Sequence, residues 1–295
     1  MLIEFSVENF RSIRDRQTLS MVANQGNEHR DTHVYQPEAI GAPALLRSVA
    51  IYGPNASGKT NLIKALQTMH TIVTGSTTKL QRGEEIPVTP YLLSKQTENA
   101  PSTFEVVFIH SGVRYQFGFS ATRERIHDEW LFAYPKGRVQ RWYHRIYDPE
   151  RKEYDWQLGD KLQGPKQLWK DSTRANALFL STAIQLNNEQ LKPVFDWFSQ
   201  ILKVMTSIDL GLFFTLYICS RKDLSEKRKK DIIGLLRLAD FAVEDFAVEE
   251  RPFSESDLPP DMPESIRLAI IEDMKSLPHF STEMAHRSEE GGLVP

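Results

Sequence analysis

Residues 53–60 read Gly53-Pro54-Asn55-Ala56-Ser57-Gly58-Lys59-Thr60 and match G-x-x-x-x-G-K-[ST], the pattern of a phosphate-binding loop. In such a loop successive backbone N–H groups surround a phosphate, and the N-terminus of the following helix adds its positive dipole end. Gly53 and Gly58 permit backbone angles and a close approach that a Cβ would block. We therefore predict that Lys59 is the catalytic residue that contacts the β- and γ-phosphates, and that the Thr60 hydroxyl ligates Mg²⁺. The alternative is a glycine turn with an exposed lysine.

The segments on both sides of this loop predict the structural context that it needs. Residues 45–52 form a short apolar run that is typical of a central, fully buried strand. After the loop, apolar residues recur at helical spacing at Leu62, Ile63, Ala65, Leu66, Met69 and Ile72. A strand, a glycine-rich turn and a helix in this order favour the phosphate-binding loop over a plain turn.

Two other regions show the alternation of β-strands. Residues 2–10 alternate between apolar and polar side chains, which predicts a half-buried strand, and residues 17–22 are its candidate hairpin partner. Between residues 102 and 158 the apolar residues repeat with a period of two, interrupted by turn sequences such as His110-Ser111-Gly112. This region is predicted to be an antiparallel meander.

The sequence pattern of the C-terminal part is typical of helices. Residues 191–202 and 224–238 carry apolar residues at helical spacing. The predicted fold is an α/β P-loop NTPase core with an antiparallel β-lobe and a helical lobe. Residues 1–90 form the N-terminal part of the core, residues 91–160 the β-lobe and residues 161–295 the helical lobe.

Composition excludes several classes of protein. Of 295 residues, 40% are hydrophobic and 25% charged, which is typical of a globular protein rather than of a disordered or collagen-like chain. The net charge of -3 argues against a protein whose whole surface binds polyanions. A single cysteine, Cys219, excludes an internal disulfide. No apolar stretch is long enough to span a membrane and no signal peptide is recognisable, so we expect a cytoplasmic protein.

Two stretches together resemble a known family. Asn9-Phe10-Arg11-Ser12 and the loop continued through Asn61 are similar to the ABC-like P-loop ATPases of the RecF, SMC and OLD group, in particular to bacterial AAA-family ATP-binding proteins related to RloA. The resemblance implies an ABC/SMC-like ATPase core that binds ATP and Mg²⁺. The residues that it implies to lie at the nucleotide are Arg11, Ser12, Gly53, Pro54, Asn55, Ala56, Ser57, Gly58, Lys59, Thr60 and Asn61. For Arg11 and Ser12 the alternative is the solvated end of a hairpin.

The same resemblance implies parts that are not recognised in the sequence. Members of the family hydrolyse ATP with an apolar strand that ends in Asp-Glu, preceded by a signature segment. Residues 268–273 are the best acidic candidate, but Asp261 and Pro263 stand where the N-cap and first turn of an amphipathic helix belong. Residues 208–209 are a weaker candidate. We therefore expect the N-terminal part of a longer ATPase, or a chain completed by a second polypeptide, that hydrolyses ATP poorly alone.

The resemblance also suggests partners. The expected function is an ATPase subunit whose nucleotide state controls homo-oligomerisation or a partner effector such as a nuclease, in bacterial anti-phage defence. The alternatives are a RecF-like DNA-repair ATPase that binds DNA and a nonhydrolysing nucleotide-binding scaffold.

Two basic stretches are candidates for binding nucleic acid. Lys227, Arg228, Lys229 and Lys230 form a concentrated stretch on a predicted helix, for which the alternative is a solvated helix face. Basic residues between 136 and 152 interleave with aromatic residues, as they do both in nucleic-acid-binding hairpins and in ordinary ones. For this hairpin the ordinary interpretation is favoured, because Asp148 and Glu150 dilute the charge.

Overall fold

The structure is a computed structural model that describes residues 1–26, 28–206, 215–221, 226–238, 243–252, 279–287 and 293–294. The chain divides into two compact units, Met1–Thr206 and Ser207–Pro295. Each unit has its own sheet.

A seven-stranded antiparallel sheet forms the centre of the first unit. The strands of this unit are β1 (Leu2–Glu8), β2 (Gln17–Ser20), β3 (Val34–Tyr35), β4 (Leu45–Leu46), β5 (Ser102–His110), β6 (Val113–Ala121), β7 (Ile126–Tyr134), β8 (Gln140–Asp148) and β9 (Glu153–Leu158). The order in the sheet is β2-β1-β5-β6-β7-β8-β9, and β3 pairs separately with β4. The predicted hairpin and the predicted meander are therefore confirmed.

Helices cover one face of this sheet. They are α2 (Lys59–Gly75), α3 (Lys166–Ser172), α4 (Phe179–Gln185) and α5 (Lys192–Asp196), which continues into a π-helix (Trp197–Ile201); the short helix α1 (Arg30–His33) buries none of its residues. The alternating side chains Phe104, Val106 and Phe117 are buried in the same cluster as Met69 and Val73 of α2. Burial of these apolar surfaces holds the helix on the sheet. The helix predicted after the glycine-rich loop is confirmed.

The second unit contains helices and a three-stranded sheet. Its elements are α6 (215–220), α7 (Glu226–Leu238), β10 (Asp245–Arg251), β11 (His279–Arg287) and β12 (Leu293–Val294). Both strand pairs, β10 with β11 and β11 with β12, are antiparallel. The helix predicted over residues 224–238 is confirmed for the residues that are described.

The prediction of a buried central strand over residues 45–52 is wrong. Only Leu45–Leu46 is a strand, and Val49, Ile51 and Tyr52 are 44%, 37% and 90% exposed. An apolar run can be buried as a central strand only if neighbouring strands pair with both of its edges. No described residue forms a backbone hydrogen bond with residues 48–52. The composition of residues 48–52 is suited to burial, but the described part of the chain provides no strand that pairs with them.

Because four histidines are partly buried, we expect the fold to lose stability as the pH falls. Burial is the largest cause that lowers the pKa of His70, His110, His127 and His144 below their ordinary value. The unfolded chain therefore binds more protons than the folded one, so the free energy of unfolding should decline as the pH falls from about 6.5. Thermal unfolding followed by circular dichroism between pH 7.5 and 5.5 measures this. A melting temperature that rises on acidification would contradict the prediction, and the variant His127→Gln/His144→Gln should show a smaller decline.

Candidate functional site

The glycine-rich loop is an exposed turn that leads directly into α2. Residues 53–57 are exposed and non-helical, and Gly58 is the N-cap of α2 with a left-handed φ of 95°. Ala56 is also left-handed, with a φ of 63°. A Cβ at Gly53 would lie 3.0 Å from Ser57 Oγ, so glycine is needed for the close fold of the loop. The loop is therefore accessible to a ligand from solvent.

Lys59 is directed back into this loop. Its Nζ donates hydrogen bonds to the carbonyl oxygens of Gly53 and Pro54, at 2.8 and 2.6 Å. A phosphate oxygen is a better acceptor than a carbonyl, because the hydrogen bond then joins two ions. A phosphate bound in the loop would therefore be a stronger partner for the ammonium group than these carbonyl oxygens are.

Thr60 is placed on the first turn of α2, where a metal ion bound to the phosphates would lie. Thr60 is exposed, and its hydroxyl makes no hydrogen bond with the part of the chain that the structure describes. Hydroxyl and phosphate oxygens are the hard ligands that Mg²⁺ prefers. The loop, Lys59 and Thr60 thus fit a nucleotide's phosphate groups with their magnesium ion.

A cavity of about 590 Å³ opens beside the loop, within the range of small-molecule pockets. The residues that line it include Ser12, Ile51, Tyr52, Ser57, Lys59 and Tyr91. Ser12 belongs to the turn between β1 and β2, and its Oγ accepts a hydrogen bond of 2.7 Å from Asn61 Nδ2. The structure therefore brings together Ser12, Asn61 and the loop.

Arg11 is placed differently from Ser12. Its side chain is exposed, with the guanidinium carbon 5.5 Å from the ring centre of Phe10, and it does not line the cavity. Its backbone is left-handed, with a φ of 51°, which is uncommon for a residue with a long side chain. The predicted approach of Arg11 to the nucleotide stays a prediction.

Asn9, a predicted strand position and the first residue of the Asn-Phe-Arg-Ser motif, supports the site without lining the cavity. It is buried, and its Nδ2 donates to the carbonyl oxygens of Thr97 and Ala100, both at 2.9 Å. Its Oδ1 accepts a hydrogen bond of 2.9 Å from the backbone N–H of Tyr91. Asn9 thereby holds the segment that carries Tyr91 against the cavity. The motif Asn-Phe-Arg-Ser was the available signal, but it does not reveal which partner the amide binds.

Asn61→Ala is expected to raise the Kd for ATP·Mg²⁺ about twofold to tenfold. The change removes the hydrogen bond to Ser12, and one such bond contributes about 0.5–1.5 kcal/mol. Titration calorimetry measures the effect. Gln67→Ala, on the same helix, is the matched control and should bind as the parent chain does. Equal affinity in the Asn61 variant would show that the β1–β2 turn does not position the ligand.

The basic stretches provide fewer accessible charges than their sequences predict. Lys229 forms an ion pair of 2.6 Å with Asp245 and lies 5.6 Å from the ring centre of Phe246. The side chain of Lys227 lies outside the described residues. In the hairpin, Arg145 is buried beside Glu129 and Arg151 pairs with Asp148, so neither charge is free for a nucleic acid.

Other predicted features can be placed only in part. Both candidate acidic segments, residues 208–209 and 268–273, lie outside the described residues. Within the described ranges, no group of three or more His, Cys, Asp or Glu side chains could hold a metal ion. None of the described helices has the length and apolar character that crossing a bilayer requires.

A glycine-rich loop with an inward lysine at the start of a helix that packs on a sheet is typical of P-loop NTPases, while residues 47–52 before the loop do not form the usual strand. Residues 48–203, more than half of the chain, match the family described as AAA domain, putative AbiEii toxin, Type IV TA system. The chain belongs to this family of AAA-type ATPase domains. No curated protein matches the chain.

Proposed function

We propose that the chain is an ABC/SMC-like ATPase subunit of the RecF, SMC and OLD group, related to RloA, whose nucleotide state controls dimerisation or a partner effector. The observation that carries the proposal is the exposed loop at the start of α2, with Lys59 Nζ on its carbonyl groups and the cavity beside it. ATP is the proposed ligand because the Lys59 ammonium group suits a triphosphate and the Thr60 hydroxyl suits the metal ion bound to it.

Each residue of the site has a proposed role in binding. The backbone N–H groups between Gly53 and Gly58 hold the phosphates, while Lys59 neutralises the charge that develops on them. Thr60 ligates Mg²⁺, which supplies further charge neutralisation when it is bound. Asn61 and Ser12 hold the β1–β2 turn beside the ligand.

Residues 48–52 support the proposal that a further strand completes the site. They are exposed, apolar at three positions and unpaired within the described part of the chain. Exposed backbone N–H and C=O groups without partners can pair with an added strand. We propose that a strand carrying the acidic residues for hydrolysis pairs here, supplied by a further segment or by a partner chain. ATP hydrolysis would then depend on this association.

A nonhydrolysing nucleotide-binding scaffold is the second candidate. It is favoured by the same observation, because no strand with acidic residues lies beside residues 48–52 in the described ranges. Phosphate release from ATP distinguishes the two candidates. A DNA-repair role is less well supported, since Lys229 is already paired with Asp245.

The biological role is proposed from the family. Its description as a putative AbiEii toxin of a type IV toxin–antitoxin system favours a role in bacterial anti-phage defence, with a nuclease or another effector as partner. The single cysteine suits a reducing compartment, so we place the protein in the cytoplasm.

Three measurements test the proposed function: titration calorimetry for ATP binding, sedimentation velocity for dimerisation, and phosphate release for hydrolysis. ATP·Mg²⁺ should bind with one site per chain, and a nonhydrolysable ATP analogue should increase the sedimentation coefficient where ADP does not. Double-stranded DNA should not stimulate phosphate release. Absence of ATP binding would contradict the site, and a sedimentation coefficient that is the same with and without nucleotide would contradict control of dimerisation. Stimulation by DNA would favour the repair role.

A further inference from the structure

We propose that a second cleft of the first unit binds a nucleoside monophosphate, that is, a single phosphate ester joined to a planar ring. This site goes beyond the proposed function, which concerns the glycine-rich loop. The cleft has a volume of about 560 Å³ and lies between residues 88–102 and the turn of residues 122–125. The accessible residues that line it include Pro90, Leu92, Ala100, Arg125, His127 and Tyr147.

In the lining of this cleft, the guanidinium group of Arg125 packs against the aromatic ring of Tyr147. The guanidinium carbon of Arg125 lies 4.2 Å from the ring centre of Tyr147. The ring of His127 stands at 89° to that of Tyr147, with 5.6 Å between ring centres. Arg125 is half-buried; its backbone carbonyl accepts a hydrogen bond from the N–H of Thr122, but its guanidinium group forms no ion pair or hydrogen bond with a described residue. Its planar set of N–H donors therefore remains available, and this geometry matches the oxygen atoms of a phosphate.

The same cleft contains two carboxylates, which restrict the charge of the ligand. Glu98 and Glu124 line it, and both are exposed, whereas Arg125 and His127 are half-buried. The second arginine of the lining, Arg123, forms an ion pair of 3.9 Å with Glu85. Exposed carboxylates are screened by water but still repel a chain of several phosphates. One phosphate is therefore favoured over a triphosphate.

The remaining lining suits a planar ring. Pro90, Leu92 and Ala100 form the accessible apolar part of the lining, and Tyr147 and His127 provide aromatic groups next to the cation. Bases of nucleotides stack on aromatic and guanidinium planes and bury apolar surface when they do so. The volume of the cleft lies within the range of small-molecule sites. These features select a nucleoside monophosphate over phosphate alone.

The cleft and the loop cavity are separated by one stretch of chain, so the experiment must distinguish them. Tyr91 lines the loop cavity, while Pro90 and Leu92 on either side of it line the cleft. We therefore use the full chain with Lys59→Ala, in which binding at the loop is impaired. AMP is the probe, and titration calorimetry is the measurement.

The Lys59→Ala chain should bind AMP saturably with one site, and adding Arg125→Gln should weaken this binding at least tenfold. Arg138→Gln, an exposed arginine that does not line the cleft, is the matched control and should leave AMP binding unchanged. Adenosine and inorganic phosphate should each bind more weakly than AMP. If Arg125→Gln lowers the melting temperature, Arg125→Lys, which keeps the charge but lacks the planar donors, should still weaken AMP binding.

Three results would overturn the second site. They are no saturable binding of AMP, equal affinity in the Arg125 and Arg138 variants, and inorganic phosphate that binds as tightly as AMP. Because ATP binding by the parent chain is measured separately, each of these results leaves the proposed function of the glycine-rich loop intact.

Discussion

Lys59→Ala is expected to raise the Kd for ATP·Mg²⁺ by about tenfold to a hundredfold, since a hydrogen bond to a charged group contributes about 1.5–3 kcal/mol. The ammonium group donates to two carbonyl oxygens of the loop, so it already lies at the loop that is proposed to hold the phosphates. Alanine removes both the donor and the positive charge. Titration calorimetry on the full chain measures the change.

Lys64→Ala is the matched control for this prediction. Lys64 lies on the same helix, five residues further along, and does not line the cavity. Its replacement should leave the Kd within about twofold, because a screened charge at the surface contributes little. The fold should survive in both variants, since the hydrogen bonds of Lys59 are exposed ones. Unchanged ATP affinity in the Lys59 variant would refute the phosphate cradle.

Glu129→Ala is expected to lower the free energy of unfolding by about 3–5 kcal/mol, the usual cost of leaving a buried charge without its partner. Glu129 and Arg145 are both fully buried, and Arg145 Nη1 lies 3.7 Å from Glu129 Oε2. The carboxylate also accepts hydrogen bonds from the backbone N–H groups of Phe179 and Leu180 and from the Tyr143 hydroxyl, at 2.7, 3.0 and 2.9 Å. Alanine would remove all of these acceptors together.

The effect should extend to the helix that follows the glycine-rich loop. Glu129 holds the start of α4, and Ser181 of α4 donates a hydrogen bond of 2.6 Å to the carbonyl oxygen of Val73 in α2. Arg174, in the same segment, donates to the carbonyl oxygen of Ser76 at 3.0 Å. Loss of Glu129 therefore weakens the support behind α2, and ATP binding should weaken together with stability.

Urea denaturation compares Glu129→Ala with Glu153→Ala, in which an exposed glutamate of β9 is removed. The control should change the free energy of unfolding by less than about 0.5 kcal/mol. The double variant Glu129→Leu/Arg145→Met should be more stable than Glu129→Ala, because it leaves no unpaired buried charge. A loss below about 1 kcal/mol in Glu129→Ala would show that Arg145 is satisfied without it, by carbonyl oxygens such as that of Ala177.

The pKa of Glu129 shows how much the carboxylate depends on this environment. Burial raises its pKa, while Arg145 and the donated hydrogen bonds oppose that rise. Burial also raises the pKa of Tyr143, whose hydroxyl donates to the same carboxylate. Glu129, Arg145 and Tyr143 satisfy one another inside the fold. Removing one of them leaves the others buried without a partner, and this is why a large loss of stability is expected.

Local patterns in the sequence predict much of the fold. The alternation in residues 102–158 predicts the meander because successive side chains of a strand point to opposite faces of a sheet. Helical spacing predicts α2 for a similar local reason. The glycine-rich loop is recognisable because its backbone geometry requires glycine at defined positions, as the left-handed φ of Gly58 shows.

The sequence does not predict the environment of a residue when that environment depends on residues distant in the chain. Arg145 has the alternation of a basic hairpin, yet it is buried because Glu129 of the neighbouring strand and the carbonyl oxygen of Ala177 satisfy it. Asn9 looks like a polar strand position until the segment around Tyr91 comes to bind it. Residues 48–52 have a buried strand's composition without the neighbours that would bury it.

The sequence alone therefore determines the phosphate-binding loop, its helix and the period of the strands, since these follow from backbone geometry and from neighbours a few residues apart. Only the tertiary structure decides which charges are paired inside the fold, which polar residue supports the cavity and where the second cleft lies. Those features depend on hydrogen bonds and packing between segments up to about a hundred residues apart, as between Ser181 and Val73, and the energy of such contacts is not encoded in any local pattern.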